Sequence, residues 1–248
     1  MALIKTKEEI EAIEEGGKIL AGIMDRLKKE VIVGVSGDHL NNLAEELILK
    51  NKGIPSFKNY NGFPAALCLS LNEEIVHGIP FGKKIKEGDV VSLDLGFFYK
   101  GFHNDMATTV FLNEVPFDVL RLIKTTKKAL KRGIKKARIG NTLGDIGNTI
   151  ERCITSQGFK VIENLCGHGI GKEVHEPPDV LNFGKRHKGM KIEEGMILCL
   201  EPMASLGSSE IVLGKDMCTY KTKDGSISAH FEHTIIITKD GAKVATEL

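Results

Sequence analysis

An aspartate stands inside an otherwise apolar segment, Val90-Val91-Ser92-Leu93-Asp94-Leu95-Gly96-Phe97-Phe98. Its β-branched and aromatic content marks a buried strand, where an unpaired ionised carboxylate is strongly disfavoured. Whatever fold the chain adopts must give Asp94 a cation, a network of donors or a metal. Taken alone, an ion pair within the protein is the commoner answer. Asp105 shifts that balance. If 90–98 and 101–111 form a hairpin turning at Tyr99-Lys100, Asp94 and Asp105 lie directly opposite, with Cβ atoms about 4.5–5.5 Å apart. Like charges so placed repel, and a shared divalent ion removes the repulsion. Tyr-Lys is not a favoured turn dipeptide, so a bulge there would shift the pairing.

The anomaly recurs. Glu201 ends the apolar run Ile197-Leu198-Cys199-Leu200, and Glu232 opens the apolar strand 232–238. Each alone reads as an edge-strand charge; four acids attached to apolar strands do not. His168 sits in Cys166-Gly167-His168-Gly169-Ile170-Gly171, where flanking glycines permit a close backbone approach while the imidazole projects. Alone it is a loop histidine, but beside four carboxylates it is a candidate fifth ligand. The glycines do not make a phosphate loop, because the lysine of a Walker motif is missing. An oxygen-rich set with one imidazole and no thiolate suits Mn²⁺, Fe²⁺, Co²⁺ or Zn²⁺. Carboxylates bridging two ions about 3.5–4 Å apart are the usual centre of two-metal hydrolases.

Around these residues the pattern is helix, helix, strands, twice over. Thr6 and Glu9 form a capping box ahead of a stripe at Ile10, Ile13, Leu20, Met24 and Leu27. A second helix follows Gly34-Val35-Ser36-Gly37 with Leu40, Leu43 and Leu47. Pro116 opens a third through Leu120, Ile123 and Leu130, and Asn141-Thr142 a fourth through Leu143, Ile146 and Ile150. The second and fourth stripes share one offset, which suggests a duplicated α+β chain with helices on one face of a shared sheet. With no linker between halves of roughly 1–112 and 113–248, the expectation is one catalytic domain over 1–248.

The 248 residues are 42% hydrophobic and 27% charged, with 34 basic against 33 acidic side chains. This near-neutral balance shows no footprint for nucleic acid or an anionic membrane. Five scattered cysteines without a CxxC pair speak against disulfides or structural zinc. No apolar run has signal-peptide or membrane-span length. A reduced, cytoplasmic protein is expected.

Five stretches, in order and at matching spacing across the chain, resemble the methionine aminopeptidases. They are Asn72-Glu73-Glu74-Ile75-Val76-His77-Gly78-Ile79-Pro80, the pair Asp94 and Asp105, GHGIG followed by His175-Glu176-Pro177-Pro178, Leu200-Glu201-Pro202, and His230-Phe231-Glu232-His233-Thr234. The resemblance implies the duplicated pita-bread α+β fold, a curved antiparallel sheet with helices packed on one face. It is similar to the shorter, type I form, since no long insertion separates Glu201 from Glu232 and no zinc-binding extension precedes residue 1. It implies two divalent ions (Mn²⁺, Fe²⁺, Co²⁺ or Zn²⁺) held by Asp94, Asp105, His168, Glu201 and Glu232. Asp105 and Glu232 would bridge, Asp94 would hold one ion, and His168 with Glu201 the other. His77, His175 and Glu201 are the implied catalytic residues. Phe57, Tyr60, Phe63 and Cys68 join His77 and His175 in binding substrate. Many bacterial relatives have tryptophan where this chain has Cys218, which alters the pocket rim.

The implied reaction removes the initiator methionine from nascent polypeptides when the second residue is small, through attack of hydroxide on the scissile carbonyl. The partners implied are nascent N-termini met at the ribosome exit, with no DNA and no membrane, for a monomeric enzyme. Met1-Ala2 is itself such a start, so self-processing is expected. Two other readings stay open: a prolidase or aminopeptidase P of the same fold, whose members usually have an added N-terminal domain, and an inactive binding module, which would have lost ligands present here.

Overall fold

The structure, a computed structural model, describes residues 3–248; the Met1-Ala2 start, and with it the expected self-processing, lies outside the described residues. Helix α1 (Lys7–Glu30) begins where the capping box predicts. Thr6 Oγ1 accepts from Glu9 N at 3.3 Å and the Glu9 carboxylate accepts from Thr6 N at 2.9 Å. Helix α2 (Gly37–Lys50) starts from Ser36, α3 (Phe117–Lys136) from Pro116, and α4 (Leu143–Thr155) from a Thr142–Asp145 capping box. Among the described residues no helix is long and apolar enough to cross a membrane, and all five cysteines are free thiols.

Each helix pair covers one sheet. In the first half, β2 (Val90–Tyr99) runs antiparallel between β1 (Leu67–Leu71) and β3 (Phe102–Phe111). In the second, β6 (Ile197–Leu200) lies between β4 (Gly167–Gly169) and β7 (His233–Thr238), flanked outside by β5 (Glu176–Val180) and β8 (Gly241–Val244). Period-two alternation then sorts the side chains. Leu67, Leu69, Leu93 and Leu95 pack with Leu20, Leu27, Leu40 and Ile48 of α1 and α2. Leu198, Leu200, Ile235 and Ile237 pack with Leu122, Leu130, Ile146 and Ile150 of α3 and α4. The repeated stripe therefore does the same work twice, with Leu40, Leu43 and Leu47 on one core and Leu143, Ile146 and Ile150 on the other. Asp94, Asp105, His168 and Cys199 fall on the opposite parity.

The hairpin corrects the predicted register. Asp94 pairs with Ala107, and Asp105 with Gly96. The loop is Lys100-Gly101, with φ of 49° and 87°. Two consecutive positive φ values make a type I′ turn, which needs Gly at its second centre and matches the strand twist. Because the shift is two positions, neither aspartate changes face; they meet diagonally rather than head-on.

The first sheet is tied to the second half of the chain through threonine hydroxyls. Thr234 Oγ1 accepts from Asp105 N at 2.9 Å and donates to Asp105 O at 2.8 Å. Thr109 Oγ1 does the same for His230, accepting from its N at 2.9 Å and donating to its O at 2.7 Å. Glu232 N donates to Ala107 O at 2.9 Å. These bonds lock β3 beside the start of β7, which brings acids from distant parts of the chain together.

Candidate metal centre

Each of the five residues singled out above is set by a regular element. Asp94 and Asp105 stand on the β2–β3 hairpin, His168 at the centre of β4, Glu201 just past β6, and Glu232 just before β7. His168 faces Cys199 across the β4–β6 ladder. Its glycine neighbours answer to sterics: a Cβ at Gly167 would lie 2.2 Å from Cys199 O, and one at Gly169 2.4 Å from Pro177 O. The strand can reach its neighbours only without side chains there.

The structure brings all five together. Asp94, Asp105 and Glu232 offer oxygens within 4.8 Å of one another. His168 Nε2 lies 3.6 Å from Glu201 Oε1 and 4.0 Å from Glu232 Oε1. Asp94, Asp105, His168 and Glu232 are all buried. Asp94 Oδ1, Asp105 Oδ1 and Glu232 Oε1 are enclosed without any hydrogen-bond partner, against the rule that buried polar atoms are paired. Three acids that each have an unpartnered buried oxygen, and that can each bring a carboxylate oxygen within 4.8 Å of the others, fit a divalent cation. Cys199 also lies near His168 and Glu232, and without metal, burial pushes its thiol well above the usual range.

Burial drives the electrostatics. It raises Asp94 to about 6, and raises Asp105, Glu201 and Glu232 well above the normal carboxylate range, aided by repulsion from neighbouring acids. Burial lowers His168 to about 3 and His77 to about 4. Carboxyls that hold protons more tightly folded than unfolded lose stability as pH rises toward their folded pKa. The histidines act oppositely, adding stability with pH until their unfolded pKa of about 6.5 is passed. Metal-free protein is therefore expected to lose stability as pH rises toward the raised folded pKa values of Asp105, Glu201 and Glu232, with the histidines opposing this below about 6.5, by up to about 1.4 kcal/mol per pH unit for each proton held. Thermal unfolding in chelator across that range checks this; a flat profile would refute it, and saturating Mn²⁺ should remove the slope.

Phe57, Tyr60, Phe63, Cys68, His77 and His175 line the same cavity, of about 320 Å³, as the acids. Phe57, Phe63 and Cys68 form its apolar wall, with Tyr60 and a half-buried Cys218 beside them and Val174 packed in the same cluster. His77 holds a left-handed backbone at φ 57°, a costly conformation for a non-glycine residue that is common at functional sites. Tyr60 Oη lies 3.0 Å from His175 Nδ1. The loop before β5 is pinned by a buried ion pair, Lys5 Nζ to Glu176 Oε2 at 2.6 Å.

Sequence reasoning missed three contributors: the Lys5–Glu176 pair, the threonine staples, and His230, whose Nε2 lies 3.6 Å from Glu201 Oε2. The first two join residues far apart in the chain and left no local signal. His230 stood within a quoted motif, two residues before Glu232.

The comparisons agree with this geometry. The model of metallopeptidase family M24 matches residues 11–239. A methionine aminopeptidase of Clostridium perfringens (strain 13 / Type A) is 40% identical over 246 residues, 99% of each chain. The crystal structure of methionine aminopeptidase from Thermotoga maritima superposes with a TM-score of 0.98 at 39% identity, covering 100% of both chains. Prolidase from Pyrococcus furiosus shares the fold, with a TM-score of 0.81 at 24% identity over 99% of this chain and 66% of that one. The architecture is the duplicated pita-bread fold, and divalent-metal binding comes with the family. The chain belongs to metallopeptidase family M24, among its bacterial-type, type I methionine aminopeptidases.

Proposed function

We propose that this chain is a hydrolase that removes the initiator methionine from nascent polypeptides with a small second residue, using two divalent ions drawn from Mn²⁺, Fe²⁺, Co²⁺ and Zn²⁺. One observation supports this above the others: the converging acids and the apolar wall open on a single cavity. The reading treats 1–112 and 113–248 as halves of one catalytic unit, supported by ligands drawn from both. It places the enzyme in the cytoplasm, acting as a monomer at the ribosome exit, without DNA or membrane partners.

Asp94, Asp105, His168, Glu201 and Glu232 would hold the ions. When bound, the ions make hydroxide available near neutral pH. The substrate's free α-amine would be held at the end of the cavity where the acids hold the ions, which limits cleavage to one residue. Phe57, Phe63 and Cys68 offer the apolar contact that a thioether side chain takes. Glu201 takes up and returns the proton during attack on the scissile carbonyl. With Tyr60 donating to Nδ1, His175 keeps its own proton on Nε2 for the developing oxyanion. His77 hydrogen-bonds near the scissile amide.

His175→Ala is expected to retain metal and lose about 10²–10³-fold in kcat. Steady-state kinetics with metal analysis checks this; a loss confined to KM would oppose the oxyanion role. The reading itself is tested by stripping metal with chelator, restoring each ion in turn, and assaying Met-Ala-Ser, Ala-Pro-Ser and N-acetyl-Met-Ala-Ser. Metal-dependent release of methionine from the first peptide alone is expected. Cleavage of the proline peptide instead would move the chain to the prolidase branch. Bound metal without cleavage would leave a binding protein.

A further inference from the structure

His230 is 1% exposed, and neither ring nitrogen has a partner. Its backbone is held at both N–H and C=O by the Thr109 hydroxyl, so the ring is placed by the sheet junction rather than by a loose loop. A buried imidazole with both nitrogens unpaired breaks the usual rule of satisfaction. Its Nε2 lies 3.6 Å from Glu201 Oε2 and 3.9 Å from Glu232 Oε2. Both distances exceed the N–H···O range of about 2.7–3.2 Å. They fall where two ligands bound about 2.0–2.1 Å from one ion stand, roughly 3–4 Å apart.

His168 supplies the comparison. Its Nε2 is 3.6 Å and 4.0 Å from the Oε1 atoms of Glu201 and Glu232. The two imidazoles thus flank the same carboxylate pair, His168 against one oxygen of each and His230 against the other. Glu201, His230 and Glu232 offer one ligand atom each within 4.8 Å of one another, as do Asp94, Asp105 and Glu232.

We propose that His230 is a sixth protein ligand of the metal centre, so that the centre has two nitrogen donors rather than one. This rests on the reading of the site as a divalent-metal centre. A second imidazole moves its preference from Mn²⁺ toward Zn²⁺ and Fe²⁺, ions that imidazole suits. His168 Nδ1 has Gly169 O at 2.8 Å to hold its ring, and His230 has no such support. Its bond is therefore the weaker of the two, and its loss lowers affinity without dismantling the centre.

The test is imidazole counting by X-ray absorption on Co²⁺-loaded full-length protein and its His230→Gln variant, with Zn²⁺ and Mn²⁺ affinities by equilibrium dialysis. Two imidazoles per loaded centre are expected in the unsubstituted protein and one in the variant, with Zn²⁺ Kd at the weaker site raised about 10-fold or more and Mn²⁺ Kd changed less. Titration of histidine-labelled unsubstituted protein with Zn²⁺ gives the same answer without a substitution: ring nitrogens of two histidines should move to metal-bound nitrogen-15 positions. One imidazole in the unsubstituted protein, or equal counts and affinities in both, overturns the proposal and leaves the metalloenzyme reading standing. Failure of the unsubstituted protein to bind any of these ions would overturn that reading as well.

Discussion

Asp105→Asn is expected to give a folded protein that lacks its full metal complement and turns over no substrate. The fold should survive because the backbone of Asp105, not its side chain, is stapled to Thr234. Burial and the nearby acids already raise its carboxyl well above the normal range. In metal-free protein an amide therefore replaces a group whose charged form burial disfavours, and the fold should be no less stable than the unsubstituted one. The loss appears when metal is added. Asp105 shares its oxygen cluster with Asp94 and Glu232, and the amide withdraws one negative charge from it. Loss of an outer-shell partner typically costs a metal site roughly 10–100-fold in affinity or activity; loss of a direct ligand should cost more. Metal analysis after dialysis, thermal unfolding in chelator, and peptide turnover check the three parts. Unchanged metal content and activity would remove the ligand role.

Gly169→Ala should give a large structural effect. Its added Cβ would meet Pro177 O at 2.4 Å and Glu176 O at 2.9 Å. Both are backbone atoms of β5, so no side-chain rotation relieves the clash. Either β4 separates from β5 or His168 shifts, and the chain should lose about 3 kcal/mol or more. Gly22→Ala is the control: nothing lies within 4 Å of its Cβ, and removing a glycine inside α1 should add roughly 0.5–1 kcal/mol. Denaturant midpoints of the two variants should move in opposite directions. A loss below about 1 kcal/mol at Gly169 would mean that β4 gives way easily and that His168 is not rigidly placed.

The local rules were the legible ones. Both capping boxes, the apolar stripes and the misfit of Asp94 could be read because each is a short-range pattern with one physical cause. The hairpin register failed at the turn, where Tyr99-Lys100 was taken as the loop although Gly101 is the residue able to sit at the second centre of a type I′ turn. The error kept the face because it was even. His230 stood in the sequence only as part of the stretch around Glu232, and only the packed structure reveals that its nitrogens lie near two carboxylates with nothing to bond. The cavity wall came from resemblance rather than pattern, since Tyr60 and His175 meet across 115 positions of sequence.

The threonine staples also set a timetable. Asp94 and Asp105 share one hairpin and can be in place early, but Glu232 reaches them only when the start of β7 docks on β3 through Thr109 and Thr234. As a ribosome makes this chain, the first hairpin emerges with its acids and no opposing ligands, and it stays chemically inert while much of the remaining sequence is added. Hydrolytic competence then arrives at one moment, with the seating of a late strand. An unfinished copy has no working centre with which to cut its neighbours.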